Sequence, residues 1–213
     1  MRSCQEAICA ALAEPGSVHT VQSADVYLKY DVWPVPADGQ CLWTALALSF
    51  VLLQNDNDVS SLEELDAEEL LRLGKSIRRS AWSELRDADG GTLKDSYAPF
   101  FAAGEEGTNL AQTSAEYLDA LRAGHVFGGP LELQALTQRI RHPVLVFNIL
   151  PLQGGKQEAM ITAYKAEREE SRTLAPLLLL RRDYHYDVLV PLAHISLTPT
   201  RAHSCDSRPW PRG

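Results

Sequence analysis

Cysteine is scarce in this chain, with four residues among 213, and none of the four stands in a Cys-x-x-Cys pair. So few thiols predict no disulfide framework, and their spacing predicts no zinc ribbon or thioredoxin-type motif. The six histidines also lack a ligand spacing such as His-Glu-x-x-His, and we therefore expect no metal and no cofactor. This cysteine content is typical of a reducing, intracellular environment.

Positive charge is scarce as well. Twenty Lys and Arg residues stand against 28 Asp and Glu residues, and the net charge is −8. Nucleic acid is therefore not an expected partner, because a contact with a phosphate backbone normally uses a basic stripe. The longest apolar stretch, residues 41–53, is too short for a membrane span and predicts a buried helix. We expect a cytoplasmic protein, or one delivered into a host cytosol if its source is bacterial or viral.

The length and apolar content are those of one folded domain. Apolar residues make up 45% of the chain and charged residues 23%, so the chain can bury a core without disulfides. Helical patterns occupy the first two thirds of the sequence, and apolar strands occupy the last third. This distribution predicts an α+β or layered α/β fold.

Capping residues mark the expected helix boundaries. Ser61 with Glu64 is a capping-box signature, which predicts the start of a long amphipathic helix. Thr113 with Glu116 predicts the start of a second helix, and Gly124 stands where that helix should end.

Strand signals lie on both sides of these helices. Residues 25–36 alternate apolar and polar side chains before two prolines, which predicts an edge strand or an extended lead-in. A third helix should begin at the proline that follows the glycine pair 128–129. Four apolar segments after it predict strands, at residues 144–150, 159–164, 177–180 and 186–191.

Cys41 is the first candidate for chemistry, because it follows the turn Asp38-Gly39-Gln40 and opens the predicted apolar helix. The positive end of a helix dipole lowers a thiol pKa, and only the thiolate is a good nucleophile. The turn also directs successive backbone N–H groups into one concavity that could hold an oxyanion. The alternative is a structural cysteine buried in a core helix, which position alone favours.

His185 is the second candidate, at the start of an apolar strand. Residues i and i+2 of a strand face the same side, so His185 and Asp187 can form a hydrogen bond. A carboxylate in that position would fix the imidazole tautomer and support an imidazolium beside a thiolate. The alternative is an exposed loop histidine with a charged neighbour, which an isolated His-x-Asp pair favours.

Three segments taken together resemble the ovarian tumour (OTU) family of cysteine peptidases. Residues 38–45, DGQCLWTA, resemble the nucleophile motif DGNCLFRA of that family. Residues 128–136, GGPLELQAL, followed by PVLVF at 143–147, match its GGxxELxAL helix and the next strand. Residues 185–187, HYD, are similar to its His-Tyr-Asp/Asn segment. The three motifs occur in the family's order, and the resemblance covers about residues 25–195.

This resemblance implies a papain-like fold of the OTU type, with a small central β-sheet packed between helices. It also implies hydrolysis after the C-terminal glycine of ubiquitin or a relative, with Cys41 as nucleophile, His185 as general base and Asp187 orienting His185. Asp38 and the backbone around Gly39 and Gln40 would support the oxyanion loop. Residues 1–24 would form a helical lead-in, 25–195 the peptidase domain and 196–213 a flexible tail.

Four residues depart from the family's motifs, and two other functions stay open. Gln40 replaces the usual Asn, Trp43 the Phe and Thr44 the Arg, and Phe127 replaces the tryptophan expected before the glycine pair. The bulkier Gln40 could hold the oxyanion loop closed until substrate binds. One alternative function is an idle ubiquitin-binding module, and another is a thiol hydrolase acting on a non-ubiquitin acyl group. The acidic run 56–69 is either a solvated helix face or a contact for the arginine-bearing tail of ubiquitin.

Overall fold

A computed structural model describes residues 3–14, 16–87, 91–102, 113–152, 157–165 and 174–192. The described residues form eight helices and six strands. The helices are α1 (Cys4–Ala13), α2 (Ser23–Tyr27), α3 (Cys41–Gln54), α4 (Ser60–Glu63), α5 (Ala67–Leu85), α6 (Ala98–Ala102), α7 (Ser114–Ala123) and α8 (Pro130–Ile140). The strands are β1 (Val18–Gln22), β2 (Tyr30–Trp33), β3 (Val144–Pro151), β4 (Gln157–Tyr164), β5 (Leu177–Arg182) and β6 (His185–Pro191). No helix in these ranges has the length and apolar character needed to cross a membrane.

The strands form one mixed sheet in the order β1-β4-β3-β5-β6-β2. Strands β3 and β5 pair in parallel, and every other neighbouring pair is antiparallel. A two-residue turn joins β5 to β6, and Asp183 in this turn has φ 54°. Strand β6 pairs with β5 along residues 185–188 and with β2 along residues 188–191, so β5 holds the end of β6 that begins with His185.

Helices cover both faces of the sheet, as the sequence predicts. Side chains of β5 alternate between the two cores: Leu177 and Leu179 pack with α3, α7 and α8, while Leu178 and Leu180 pack with α1. Helix α3 is buried around much of its circumference, and Trp43 is the largest of its fully buried side chains. A helix that is apolar on all sides belongs inside a core, which explains the long apolar stretch in the sequence.

The capping predictions are confirmed at one helix and wrong at another. The capping box of Thr113 and Glu116 is present at α7, and Gly124 ends that helix with φ 86°. At the other site, the Ser61 hydroxyl donates to the carbonyl of Asp58 and so does not cap a helix. The long helix α5 instead begins at Ala67, after its N-cap Asp66.

The N-terminal part of the chain also differs from its sequence pattern. The alternating segment 25–36 is split between the end of the short helix α2 and the edge strand β2, and the apolar Leu28 between them is 75% exposed. Residues 1–24, expected as a helical lead-in, contribute α1 and also strand β1, which pairs with β4. The expected tail 196–213 lies outside the described residues.

Candidate functional site

The candidate site lies where the first turn of α3 meets the start of β6. Cys41 is the first residue of α3 and is 6% exposed. Its thiol donates to the backbone carbonyl of Tyr184 over 3.9 Å, and the backbone N–H of Tyr186 is also directed at the sulfur. The backbone on both sides of His185 therefore contacts Cys41, although 143 residues of sequence separate Cys41 from Tyr184.

His185 and Asp187 form the hydrogen bond that their spacing predicts. His185 Nε2 lies 3.0 Å from Asp187 Oδ1. Burial of Asp187 opposes its ionisation, but hydrogen bonds from Val35, Arg182 and His185 outweigh this effect and lower its pKa. An ionised carboxylate can only accept hydrogen bonds, so Nε2 carries the proton. In a neutral imidazole this leaves a lone pair on Nδ1, the atom available to take a proton from a thiol.

Asp187 also connects the strand to the segment that leads into the nucleophile loop. Its Oδ1 accepts the backbone N–H of Val35 over 3.0 Å, and its Oδ2 pairs with the guanidinium of Arg182. The Asp187 side chain is 2% exposed, whereas the Arg182 side chain is 50% exposed. Three groups donate hydrogen bonds to this buried carboxylate: His185 on β6, Arg182 on β5 and Val35 in the segment ahead of α3. Both oxygens of Asp187 therefore have a hydrogen-bond partner.

The turn before Cys41 is built by Asp38, Gly39 and Gln40. Asp38 Oδ1 accepts the backbone N–H of Gln40 over 2.8 Å, which is an Asx turn. Gly39 has φ 80°, a conformation that L side chains rarely adopt, and a Cβ there would lie 3.4 Å from the ring of Phe127. In this arrangement the N–H of Gln40 is directed at Asp38, so it is not available to an oxyanion until Asp38 moves.

The side chain of Gln40 fastens this turn to two distant helices. Its amide donates to the carbonyl of Gly124 over 2.9 Å, and its Oε1 accepts from Arg78 Nη1 over 2.6 Å. Sequence reasoning missed Arg78, Gly124, Arg182 and Val35 as neighbours of the site. Arg78 lies 38 residues from Gln40 and belongs to no motif, so nothing in the sequence indicates this contact.

The Gly-Gly motif has a clear packing role beside the site. A Cβ on Gly128 would lie 2.4 Å from Leu42 Cδ2 and 3.1 Å from the Trp43 ring, so this position admits only glycine without a shift. The backbone N–H of Gly129 donates to the carboxylate of Glu132 over 2.7 Å, and Glu132 is fully buried. The motif therefore sets how closely the start of α8 approaches the start of α3.

The pKa of the Cys41 thiol is raised, which is opposite to the predicted lowering, although the N–H groups at the start of α3 act in the predicted direction. Burial raises the pKa of the Cys41 thiol, and the charge of Asp38 adds to this effect, while backbone N–H groups, including that of Tyr186, oppose it. Desolvation disfavours a thiolate more than the partial charge at one helix end favours it. The resting thiol is therefore protonated at neutral pH and needs a base.

This arrangement suits nucleophilic acyl transfer. It brings together a thiol at a helix N-terminus and a histidine whose tautomer is set by an ionised carboxylate. No side chain caps α3 within the described part of the chain, so the first N–H groups of that helix remain to stabilise negative charge. Among the same residues, no group of three or more His, Cys, Asp or Glu side chains could hold a metal ion.

Comparisons with known proteins agree with this chemistry. The family model described as OTU-like cysteine protease matches residues 36–186. A comparison with curated protein sequences finds no match.

Solved structures with a similar fold include viral proteins and a bacterial protein. The viral OTU domain protease of Taggert virus is 18% identical, with 84% of this chain and 88% of that chain covered and a TM-score of 0.50. The corresponding protease of Dera Ghazi Khan virus is 14% identical, with 84% and 94% covered and a TM-score of 0.50. An OTU deubiquitinase from Wolbachia pipientis wMel, bound to ubiquitin, is 9% identical, with 76% and 96% covered and a TM-score of 0.51. At these sequence identities, the comparisons establish similarity of fold alone.

Proposed function

The chain belongs to the family of OTU-like cysteine proteases, and from that premise we propose that it is a deubiquitinase. Its reaction is hydrolysis of the peptide or isopeptide bond after the C-terminal glycine of ubiquitin or a ubiquitin-like protein. The observation that carries this proposal is the contact of the Cys41 thiol with the backbone on both sides of His185, whose imidazole is hydrogen-bonded to Asp187. Ubiquitin is the substrate class because a deubiquitinase of this fold is known bound to it.

In the proposed reaction, His185 Nδ1 takes the thiol proton of Cys41, and the thiolate attacks the carbonyl carbon of the terminal glycine. The imidazolium then gives its proton to the leaving amine as the C–N bond breaks, which leaves a thioester on Cys41. Water that loses a proton to His185 hydrolyses this thioester and releases the carboxylate. Asp187 stays ionised throughout and holds the imidazole in place.

The oxyanion of each tetrahedral intermediate would be stabilised by backbone N–H groups at the start of α3. The N–H of Gln40 joins them once Asp38 releases it, so we propose that substrate binding rearranges the turn Asp38-Gly39-Gln40. This agrees with the expectation that Gln40 holds the loop closed at rest, because its side chain is tied to Arg78 and Gly124. Such a step makes the assembly of the site depend on substrate.

The compartment we propose is the cytosol, either of the organism that makes the protein or of a host cell. One observation supports a reducing compartment: Cys4, Cys9 and Cys41 are free thiols. The proposed mechanism also requires one, because the nucleophile must stay reduced to act.

The proposal is tested with a ubiquitin probe that carries a thiol-reactive group at its C-terminus. We expect the wild type to form a covalent adduct, Cys41→Ala to form none, and His185→Ala to react far more slowly. Cys9→Ala is the matched control, because Cys9 is an exposed cysteine on α1, and it should react like the wild type.

Each other outcome identifies one of the alternatives. Absence of the adduct together with absence of ubiquitin binding would overturn ubiquitin as substrate and favour another acyl group. Absence of the adduct with retained ubiquitin binding would favour the idle binding module.

A further inference from the structure

A cationic cavity lies next to the nucleophile loop, between α5 and α7. Its volume is about 420 Å³, and it is lined by Lys75, Arg78, Arg79, Trp82 and Arg122. The first four recur at intervals of three and four residues along α5, which places them on one face of that helix. The buried residues of α5 are Gly74, Ala81 and Leu85, which lie on a neighbouring stripe, so the helix has a packing face beside a charged face.

Among the residues that the structure describes, the positive charges of this cavity, on Lys75, Arg78, Arg79 and Arg122, have no acidic counter-charge in a salt bridge. The described residues that line the cavity include no acidic side chain. Like charges three and four residues apart on a helix repel one another, and this concentration of cations stands out in a chain whose net charge is −8.

Two of these cationic side chains, Arg78 and Arg122, are also held in place. The Arg122 guanidinium lies 5.4 Å from the centre of the Trp82 ring, within the range of a cation–π contact. The Arg78 guanidinium packs against Gly124, where an added Cβ would lie 2.3 Å from Arg78 Nη1. Partial burial lowers the pKa of Arg78, which shows that its charge has lost part of its hydration. Positioned cations that lack counter-ions are suited to receive an anion.

We propose that this cavity is a binding site for a compact polyphosphate anion. Its volume of about 420 Å³ falls in the range of small-molecule sites and exceeds what one phosphate group would fill. Guanidinium groups bind phosphate oxygens with two parallel hydrogen bonds, and three of the four cations are arginines. The arginine-bearing tail of ubiquitin would be repelled here, so this site is distinct from any contact that the acidic run 56–69 makes with that tail.

Binding of an anion at this site would affect Cys41 through Arg78. This residue both lines the cavity and donates to Gln40 Oε1, one residue before Cys41. A phosphate oxygen competes with Gln40 for Arg78, because both are hydrogen-bond acceptors. Binding therefore loosens Gln40 and raises the accessibility of the buried Cys41 thiol.

The experiment is calorimetric titration of the whole chain with sodium tripolyphosphate, at constant ionic strength maintained with chloride. The test variant is Arg79→Gln/Arg122→Gln, which spares Arg78 and its bond to the loop. The control is Arg72→Gln/Arg139→Gln, which removes the same charge from exposed positions outside the cavity. We expect the test variant to weaken binding by about a hundredfold and the control by less than about threefold.

A second measurement follows alkylation of Cys41 by iodoacetamide with and without tripolyphosphate. The wild type should react several-fold faster with the anion, and Arg79→Gln/Arg122→Gln should show no change.

Binding without any change at Cys41 would overturn the coupling through Arg78. No binding by the wild type at millimolar concentration, or equal loss in both double variants, would overturn the site. Tighter binding of a polyglutamate peptide than of tripolyphosphate would overturn the assignment to phosphate. None of these readouts requires peptidase activity, so they are independent of the proposed function.

Discussion

The candidate site has two sides that are held by different means. On one side, His185 and Asp187 belong to β6, a strand paired with both β5 and β2. On the other side, Cys41 follows a turn held by side-chain hydrogen bonds among Asp38, Gln40 and Arg78. The strand side depends on the backbone of the sheet, whereas the loop side depends on polar contacts that a ligand or substrate can replace.

This difference indicates where the protein is preorganised and where it can change. Asp187 is buried and has its hydrogen-bond partners in place, so the tautomer of His185 is set before substrate arrives. The N–H of Gln40 is directed at Asp38 in the same structure. The base His185 and its orienting group Asp187 are therefore positioned before substrate binds, whereas the N–H of Gln40 is not yet available to an oxyanion.

The largest effect should come from removing Asp187. Asp187→Ala should lower kcat/KM by about a thousandfold or more, because the imidazole loses the partner that sets its tautomer. It should also destabilise the fold by about 2 kcal/mol, a value below that of a fully buried pair because Arg182 is half-exposed. Asp31→Ala, at an exposed position on β2, is the control and should change neither quantity. An unchanged kcat/KM in Asp187→Ala would remove Asp187 from the mechanism.

The same residue has a predicted acid dependence. The folded-state pKa of Asp187 is lowered, so its charge stabilises the fold above the ordinary aspartate pKa of about 4. This contribution is lost as the pH falls further, through the lowered value. Unfolding free energy measured against pH should therefore fall less steeply below about pH 4 in Asp187→Ala than in the wild type.

The next effect concerns the pH at which Cys41 reacts. Because burial raises the pKa of Cys41, the thiolate of the free enzyme should form above the ordinary thiol value of about 8.5. Alkylation at neutral pH should then be about tenfold slower for each unit of that rise. Mass spectrometry of iodoacetamide-treated protein measures the rate at Cys41, with the exposed Cys9 as accessible reference. A reaction midpoint well below pH 7 would instead show a thiolate formed in advance, and both sides of the site would be preorganised.

A smaller effect tests the packing between the Gly-Gly motif and α3. Gly128→Ala should lower the free energy of unfolding by about 1–3 kcal/mol, because its Cβ would overlap Leu42 and crowd Trp43. Gly91→Ala is the matched control, since a Cβ there meets nothing within 4 Å and its φ is not in the left-handed region. Denaturant unfolding measures both variants. Equal stability of the two would mean that α3 shifts freely against the start of α8.

The smallest effect should come from Gln40→Met, which keeps the length of the side chain but removes its bonds to Arg78 and Gly124. We expect a loss of about 1 kcal/mol in unfolding free energy and a several-fold faster alkylation of Cys41. Gln134→Met on α8 is the control and should leave the alkylation rate unchanged. A slower reaction in Gln40→Met would show that these bonds expose the thiol rather than restrain it.

Much of this architecture follows from local sequence patterns. The alternation of β6 predicts the hydrogen bond between His185 and Asp187, which are two residues apart on one strand. The capping box of Thr113 and Glu116 predicts the start of α7, because these residues are three apart at the first turn of the helix. The apolar run from Cys41 predicts α3 for a similar reason. The family resemblance of the three motifs is confirmed by the family model over residues 36–186.

Where the sequence misleads, a competing local bond or a distant strand decides the structure. Ser61 matches a capping box, but its hydroxyl bonds backward to Asp58. Strand β1 carries no strong pattern in its own residues, and it is a strand because it pairs with β4, about 140 residues away. Such pairings depend on neighbours that a short sequence window does not contain.

The sequence by itself determined which groups could react and how each is presented locally: a cysteine at a helix start, and a histidine two residues before an aspartate on a strand. Only the tertiary structure decided their state. It buried Cys41, which raises the pKa of its thiol, and it joined Asp187 to Val35 across 152 residues and Gln40 to Arg78 across 38. Burial and long-range hydrogen bonds are properties of the assembled core, since they depend on which distant groups exclude water from a site.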